Sequence, residues 1–394
     1  MFDELSTQSA EYQAPQPPPA PASDAVSRLS KSVAEVLVIE SAQALASPLS
    51  GAIQFIGTLK MESSAAYELL DQHLAAQGFH AQFTADPKSQ KHIITVIQGR
   101  FESKPRPVWV NALLLFLTIL SLMWIGITIG GEFETGDRLT LGLLLRGSPY
   151  AISILLILGA HELGHYFAAR YHKVAVTLPY FIPFPFGLFG TFGAFIQLRE
   201  PARNRNQLFD IGAAGPLTGL IFAIPILWIG IATANVDKLP TREDCPEGGC
   251  SYMMEGNSVV YAASKYVLHG RWLPTSVEDM TLNQLAFAGW TGLFITGLNL
   301  FPVGQLDGGH ILYTLFGRTA RILYYPLLGV MGILTVVNLN WLLWFFLLLM
   351  FGRIYAVPLD DITPLSPTRR MIGIAALVIF FLIFTPNPIR IITV

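Results

Sequence analysis

Long apolar runs at residues 108–130, 139–171, 209–234, 282–301, 322–337, 341–352 and 371–384 alternate with short polar connections along most of the chain. Runs of about 20 apolar residues with few charges predict helices that cross a bilayer. The run at 341–352 is short for that task and must borrow flanking residues or sit where the bilayer thins. The run at 139–171 is too long for one straight span. Arg146, Gly147 and Pro149 predict a break there, with the membrane helix proper starting near Tyr150.

Ahead of these runs the period changes. Residues 52–59, 79–84 and 92–97 read as strands, and 64–77 as a helix with Tyr67, Leu70 and Leu74 at helical spacing and Gly78 as its stop. This β-α-β-β unit of about fifty residues is small for independent stability and reads as a soluble regulatory or docking module. Residues 1–50 begin acidic and pass through a Pro- and Ala-rich stretch at 14–22, a flexible tether in character and not a targeting segment. The expected fold is an α-helical polytopic membrane protein of about seven transmembrane helices preceded by a small cytoplasmic α+β domain. Its expected divisions are a tether at 1–50, the module at 51–100, a core at 108–358 and a C-terminal transmembrane helix at 371–390.

Composition agrees with a membrane protein. Of 394 residues 52% are hydrophobic and 13% charged, where soluble chains carry about 25% charged residues. The net charge of -2 gives no basic footprint for nucleic acid, and the cations sit between apolar runs, not in one patch. If seven spans alternate, Lys104, Arg106, Arg170, Lys173, Arg199, Arg203, Arg205, Arg318, Arg321, Arg353, Arg369 and Arg370 all fall on one side. Short cationic loops stay cytoplasmic, which puts the N-terminal module there. The other side receives Glu132, Glu134, Asp137 and the long acidic loop that begins at Asp237, together with a few cations. Cys245 and Cys250 in that loop suit one disulfide on an oxidising side or two free thiols. Their spacing lacks the further ligands of a structural zinc site.

The chemistry concentrates in two segments. His161, Glu162, Leu163, Gly164 and His165 form an H-E-x-x-H in the second run. Residues four apart lie about 40° apart around a helix, so both imidazoles can reach one ion. Glu162 follows the first of them and can touch water on that ion. Its alternative is a buried carboxylate satisfied by neighbours, yet an ionised side chain in a lipid-embedded helix is costly and rarely kept without a task. Catalytic zinc usually takes three protein ligands and keeps a position for water. The best source of a third is the stretch at 299–310, N-L-F-P-V-G-Q-L-D-G-G-H. Pro302 and Gly304 break the helix there, leaving Asp307 in irregular backbone at membrane depth, which is tolerated when it lines a cavity. Both segments lie near the same cationic side, so one ion can join His161, His165 and Asp307. An ordinary loop aspartate at the interface is the alternative, with Glu200 and Asp210 as the next candidates.

The two motifs, their order and their placement at span ends resemble the site-2 protease family of intramembrane metalloproteases over about 108–358, through His161 to His165 and Asn299, Pro302, Asp307 and Gly308. The resemblance implies one Zn2+ per chain on His161, His165 and Asp307, with Glu162 as general base. It implies that Asn299 orients substrate or oxyanion; a helix–helix hydrogen bond is the alternative. The module, the Arg199-Glu200-Pro201 segment and the stretch from Gly190 to Ala194 further resemble the plant and cyanobacterial branch, without a PDZ domain. The implied activity is regulated intramembrane proteolysis of a membrane-embedded protein substrate, in a prokaryotic cell membrane or a thylakoid-type membrane. The competing class is a membrane transporter or metal permease, since intramembrane His, Glu and Asp also line ion paths. Carriers often have paired repeats with a broken helix in each half, and neither motif recurs here. His310 suits either a second layer around the ion or a helix cap, and the Gly- and Phe-rich stretch at 184–196 suits a membrane-dipping hairpin or core packing.

Overall fold

A computed structural model describes residues 23–45, 51–101, 107–131, 138–241, 243 and 251–393. The chain forms two compact units, one of residues 1–100 with Leu359–Thr363 and one of the remainder.

In the first unit, α1 (Ser23–Val36), β1 (Leu37–Ala44), β2 (Ile53–Leu59), α2 (Ser63–Ala75), β3 (Phe79–Ala85) and β4 (His92–Gln98) follow one another. The sheet order is β1-β2-β4-β3 with every pairing antiparallel. The expected strands and helix of the module are present. The tether expected over 1–50 does not extend to Ser23–Ala44, which supply a helix and an edge strand. Leu29, Val33 and Val36 recur at helical spacing along α1, and all three are buried against Phe55, Leu70 and Phe83. This added face supplies the apolar surface that a fifty-residue module lacks. Residues 1–22 and 46–50 lie outside the described residues.

A second addition comes from far along the sequence. The Phe83 amide donates to the Leu359 carbonyl at 2.7 Å, and the Asp361 amide donates to the Phe83 carbonyl at 3.0 Å. Leu359–Thr363 thus lies parallel to the outer edge of β3. Asp360, 1% exposed, accepts from the Ser63 hydroxyl at 2.7 Å, from the amides of Ile362 and Thr363 at 3.0 and 3.2 Å, and from the Thr363 hydroxyl.

The second unit begins with α3 (Trp109–Ile129), α4 (Leu141–Leu145) and α5 (Ser148–Tyr171), so the second apolar run breaks where Gly147 and Pro149 predict. A hairpin of β5 (Tyr180–Phe184) and β6 (Gly190–Phe195) follows, then α6 (Arg205–Ala232), β7 (Val236–Lys238), β8 (Ser251–Glu255), α7 (Val259–His269), β9 (Glu278–Met280) and α8 (Gln284–Asn299). The chain closes with α9 (Asp307–Phe316), α10 (Ala320–Val337), α11 (Leu342–Phe351), α12 (Pro367–Ile383) and β10 (Ile389–Thr393).

All seven apolar runs are helical, but by length and composition four helices can cross a membrane: Trp109–Ile129, Ser148–Tyr171, Arg205–Ala232 and Asp307–Val337. The helices α8, α11 and α12 have 16, 10 and 17 residues, below the roughly 20 that span hydrocarbon. Two helices, α7 and α9, were not expected. Asp307 correspondingly does not sit in irregular backbone; it is the first residue of α9, and the irregular stretch is the turn before it. Cys245 and Cys250 lie outside the described residues.

Packing centres on α6, which touches α5, α7, α8, α9 and α12. The hairpin is fixed to its neighbours through its backbone: Asn111 of α3 donates to the Pro179 carbonyl at 2.9 Å and the Tyr150 hydroxyl of α5 to the Phe189 carbonyl at 3.0 Å. At the other end of α6, β7 pairs with β9 and β8 with β10. There the fully buried Lys265 lies 3.4 Å from both Glu255 and Asp279, and the Tyr261 hydroxyl donates to Glu255 at 2.8 Å. Burial pushes the Glu255 carboxyl above its usual range, and Lys265 opposes that shift.

Replacing Asp360 leaves several buried donors without an acceptor, each costing about 1–3 kcal/mol. Asp360→Ala is expected to destabilise the first unit while Asp360→Asn, which keeps one oxygen, does so less. Hydrogen–deuterium exchange of the full chain checks this: protection at Phe83 and Thr84 falls in the alanine variant, and unchanged protection contradicts it.

Candidate metal centre

The helix α5 carries His161, Glu162 and His165, all buried. His165 Nδ1 donates to the Ile211 carbonyl of α6 at 2.6 Å, which turns Nε2 the other way. That atom lies 3.1 Å from His161 Nε2. Asp307 Oδ2 is 3.2 Å from His161 Nε2 and 3.3 Å from His165 Nε2. Two ring nitrogens and a carboxylate oxygen thus form a nearly equilateral triangle. Ligands about 2.0–2.1 Å from a tetrahedral ion stand about 3.3 Å from one another, so the triangle fits one small divalent metal ion. Among the described residues these three form the one cluster of that kind.

Two close approaches make the triangle possible. After α8 ends at Asn299 the chain turns and re-enters helix at Asp307, and a Cβ on Gly308 would lie 1.9 Å from the Leu300 carbonyl oxygen. Only glycine lets the turn fold back so tightly and bring Asp307 to the histidines. On α6, a Cβ at Gly215 would lie 2.1 Å from His165 Nε2, so the bare backbone there makes room for the ring. Gly219 is looser, its Cβ position lying 3.3 Å from His161.

The triangle opens into a cavity of about 580 Å3. All the residues singled out by sequence, His161, Glu162, His165, Asn299 and Asp307, line it. The Glu162 carboxylate meets the backbone of Ile196, just past β6. Asn299 Nδ2 lies 3.3 Å from His161 Nε2, a contact between α8 and α5 that places it at the cluster. His310 also lines the cavity, and its Nδ1 is buried without a hydrogen-bond partner among the described residues.

The alternative third ligands separate. Glu200 lines the cavity but accepts the Ala175 amide at 2.7 Å. Asp210 lies elsewhere, held by Arg369 and His172. The Ile211 carbonyl and the space at Gly215 escaped the sequence reading. The recurrence of glycine at 212, 215 and 219 along one face of α6 was the available signal.

A bundle of apolar helices buries an H-E-x-x-H pair against a distant aspartate in a cluster that can hold a metal ion, with Glu162 lining the same cavity. Residues 149–331 match Peptidase family M50, and the chain carries that peptidase domain, in agreement with the site-2 protease resemblance. It is homologous to "Probable zinc metalloprotease EGY2, chloroplastic" of Oryza sativa subsp. indica, 28% identical over 86% of this chain and 62% of the relative. The protein of the same name in Arabidopsis thaliana is 26% identical over 86% of this chain and 61% of the relative. "Probable zinc metalloprotease EGY1, chloroplastic" of Oryza sativa subsp. japonica is 30% identical over 77% of this chain and 55% of the relative. The chain spans about six-tenths of the length of the curated relatives it matches. No solved structure matches it significantly.

A methyl group at position 215 must displace the His165 ring. Gly215→Ala is therefore expected to lower metal retention about tenfold or more, as lost ligand geometry does, whereas Gly219→Ala costs little. Elemental mass spectrometry of dialysed protein separates the two, and equal metal content in both variants contradicts the packing argument.

Proposed function

We propose that this chain is an intramembrane zinc metalloprotease that hydrolyses peptide bonds of membrane-embedded protein substrates, with one zinc ion held by His161, His165 and Asp307. The observation that carries this reading is the 3.1–3.3 Å triangle with Glu162 beside it, and the peptidase domain and the zinc metalloprotease relatives support it. A permease reading gains no support, since no second such cluster occurs among the described residues.

When bound, zinc supplies Lewis-acid polarisation of water and of the scissile carbonyl. Glu162 is the general base: it takes a proton from the attacking water and returns it to the leaving amine. Asn299, within reach of the cluster, orients the substrate carbonyl or the developing oxyanion. A helical substrate hides its carbonyls in hydrogen bonds and must unwind before attack. The β5–β6 hairpin supports such a step, because β6 pairs only with β5 among the described strands and leads into Ile196 beside Glu162. Its open edge suits an extended segment.

The proposed topology has seven spans, with α8, α11 and α12 crossing where flanking residues or local thinning make up their length. The clustering of cations on one side supports a cytoplasmic N-terminus, in a prokaryotic cell membrane or a thylakoid-type membrane.

Glu162→Gln keeps the shape of the side chain and loses the base. It is expected to retain near-normal zinc and to lose cleavage by about 10²–10⁴-fold, whereas Asp307→Ala loses both. Purified protein in liposomes with a transmembrane substrate and a chelator control measures this; near-normal cleavage by Glu162→Gln refutes the assigned role.

A further inference from the structure

The metal-bearing helices are clamped from outside the matched peptidase segment by a residue near the C-terminus. Arg369, on the first turn of α12, donates from Nε to Asp210 Oδ1 and from Nη2 to Asp210 Oδ2, each at 2.7 Å. Its Nη1 donates to Ser366 at 3.1 Å, which fixes the guanidinium on its own helix. The matched segment ends at residue 331. Bidentate pairing of this kind is both strong and directional.

Asp210 is shared by three helices. His172, which caps the C-terminal end of α5, places Nε2 2.8 Å from Asp210 Oδ2. The next residue of α6, Ile211, is the one whose carbonyl receives His165 Nδ1 at 2.6 Å. Two cross-helix bonds, from His172 and His165 of α5, therefore land on consecutive residues of α6, and the first of them is locked by Arg369. One turn further along α12, a Cβ at Gly373 would lie 3.0 Å from Phe209 and 3.2 Å from Leu315. Leu315 belongs to α9, the helix that starts with Asp307. The same short stretch of α12 thus bears on the helix that orients His165 and on the helix that carries Asp307.

We infer that Arg369 is a positioning residue for the metal centre: by holding Asp210 it sets the Ile211 carbonyl, and through it the direction of His165 Nε2. This rests on the zinc reading proposed above. Outer partners of a metal-bound histidine typically change metal affinity by 10- to 100-fold when removed. Arg369 acts one step further out, so a change of about tenfold is expected.

Zinc affinity by chelator competition and the visible spectrum of the cobalt-substituted protein test this on the full chain. Arg369→Gln and Asp210→Asn are expected to weaken zinc about tenfold and to shift the cobalt bands, which report ligand direction directly. Arg369→Lys, which keeps charge without the fork, should fall between them and the parent. Asn206→Ala provides the control. It removes the contacts to the Ser366 amide at 2.9 Å and the Pro364 carbonyl at 3.3 Å, loosening α12 on α6 while leaving Asp210 paired. It should lower thermal stability with parental zinc affinity and cobalt bands. If folded Arg369→Gln or Asp210→Asn keeps parental affinity and spectrum, or if Asn206→Ala changes them equally, Arg369 is only a brace and the inference fails. If the parent itself binds no zinc, the functional reading fails first and takes this inference with it.

Discussion

The helices α5 and α6 approach so closely that a Cβ on Gly164 would lie 2.7 Å from the Ala214 carbonyl oxygen and 2.3 Å from the Thr218 hydroxyl. That contact sets the rest of the site. With the backbones this near, the Ile211 carbonyl is within reach of the His165 ring, and the space beside Gly215 accepts that ring. An unpaired imidazole N–H in an apolar bundle would cost several kcal/mol. Pairing it with a backbone carbonyl removes that cost and selects the nitrogen that faces the cavity. The orientation of the His165 ring is here a consequence of helix packing.

The carboxylate of the triangle arrives by a different device. Asp307 follows a turn that only two consecutive glycines permit, with Gly308 against Leu300 and Gly309 against Val303 and Gly304. As the first residue of α9, it also places its carboxylate at the N-terminal end of a helix. The same turn leaves Asn299, the last residue of α8, beside His161. One tight return of the chain therefore supplies the third corner of the triangle and a polar neighbour together.

The first unit shows the same reliance on distant sequence. Its sheet edge is completed by Leu359–Thr363, and the buried Asp360 collects donors from α2 and from its own segment. A fifty-residue module thereby gains α1 and a returning segment that bridges to β3. The next residues of the chain, from Pro364 to Arg369, hold α6 at Asn206 and Asp210. Contacts that hold these helices thus extend well beyond the recognisable motif.

Sequence alone determined the apolar helices, the break before Tyr150 and the strands and helix of the module, and it singled out His161, Glu162, His165, Asn299 and Asp307, which line one cavity. Those features follow from local period, helix-breaking residues and the cost of charge in an apolar run, all of which act over a few neighbouring positions. It did not reveal α1 behind its Pro- and Ala-rich lead, nor α9 starting at Asp307, because a helix start without a side-chain cap leaves little local signal. Only the tertiary structure decided that Asp210 pairs with Arg369 and His172 and stands apart from the His161–His165–Asp307 cluster, that Ile211 receives His165, and that Leu359–Thr363 joins the first sheet. Each of these depends on a backbone carbonyl, an empty space at glycine or a contact across more than a hundred residues of sequence or between helices. Such partners carry no side-chain pattern of their own, so no local period could announce them.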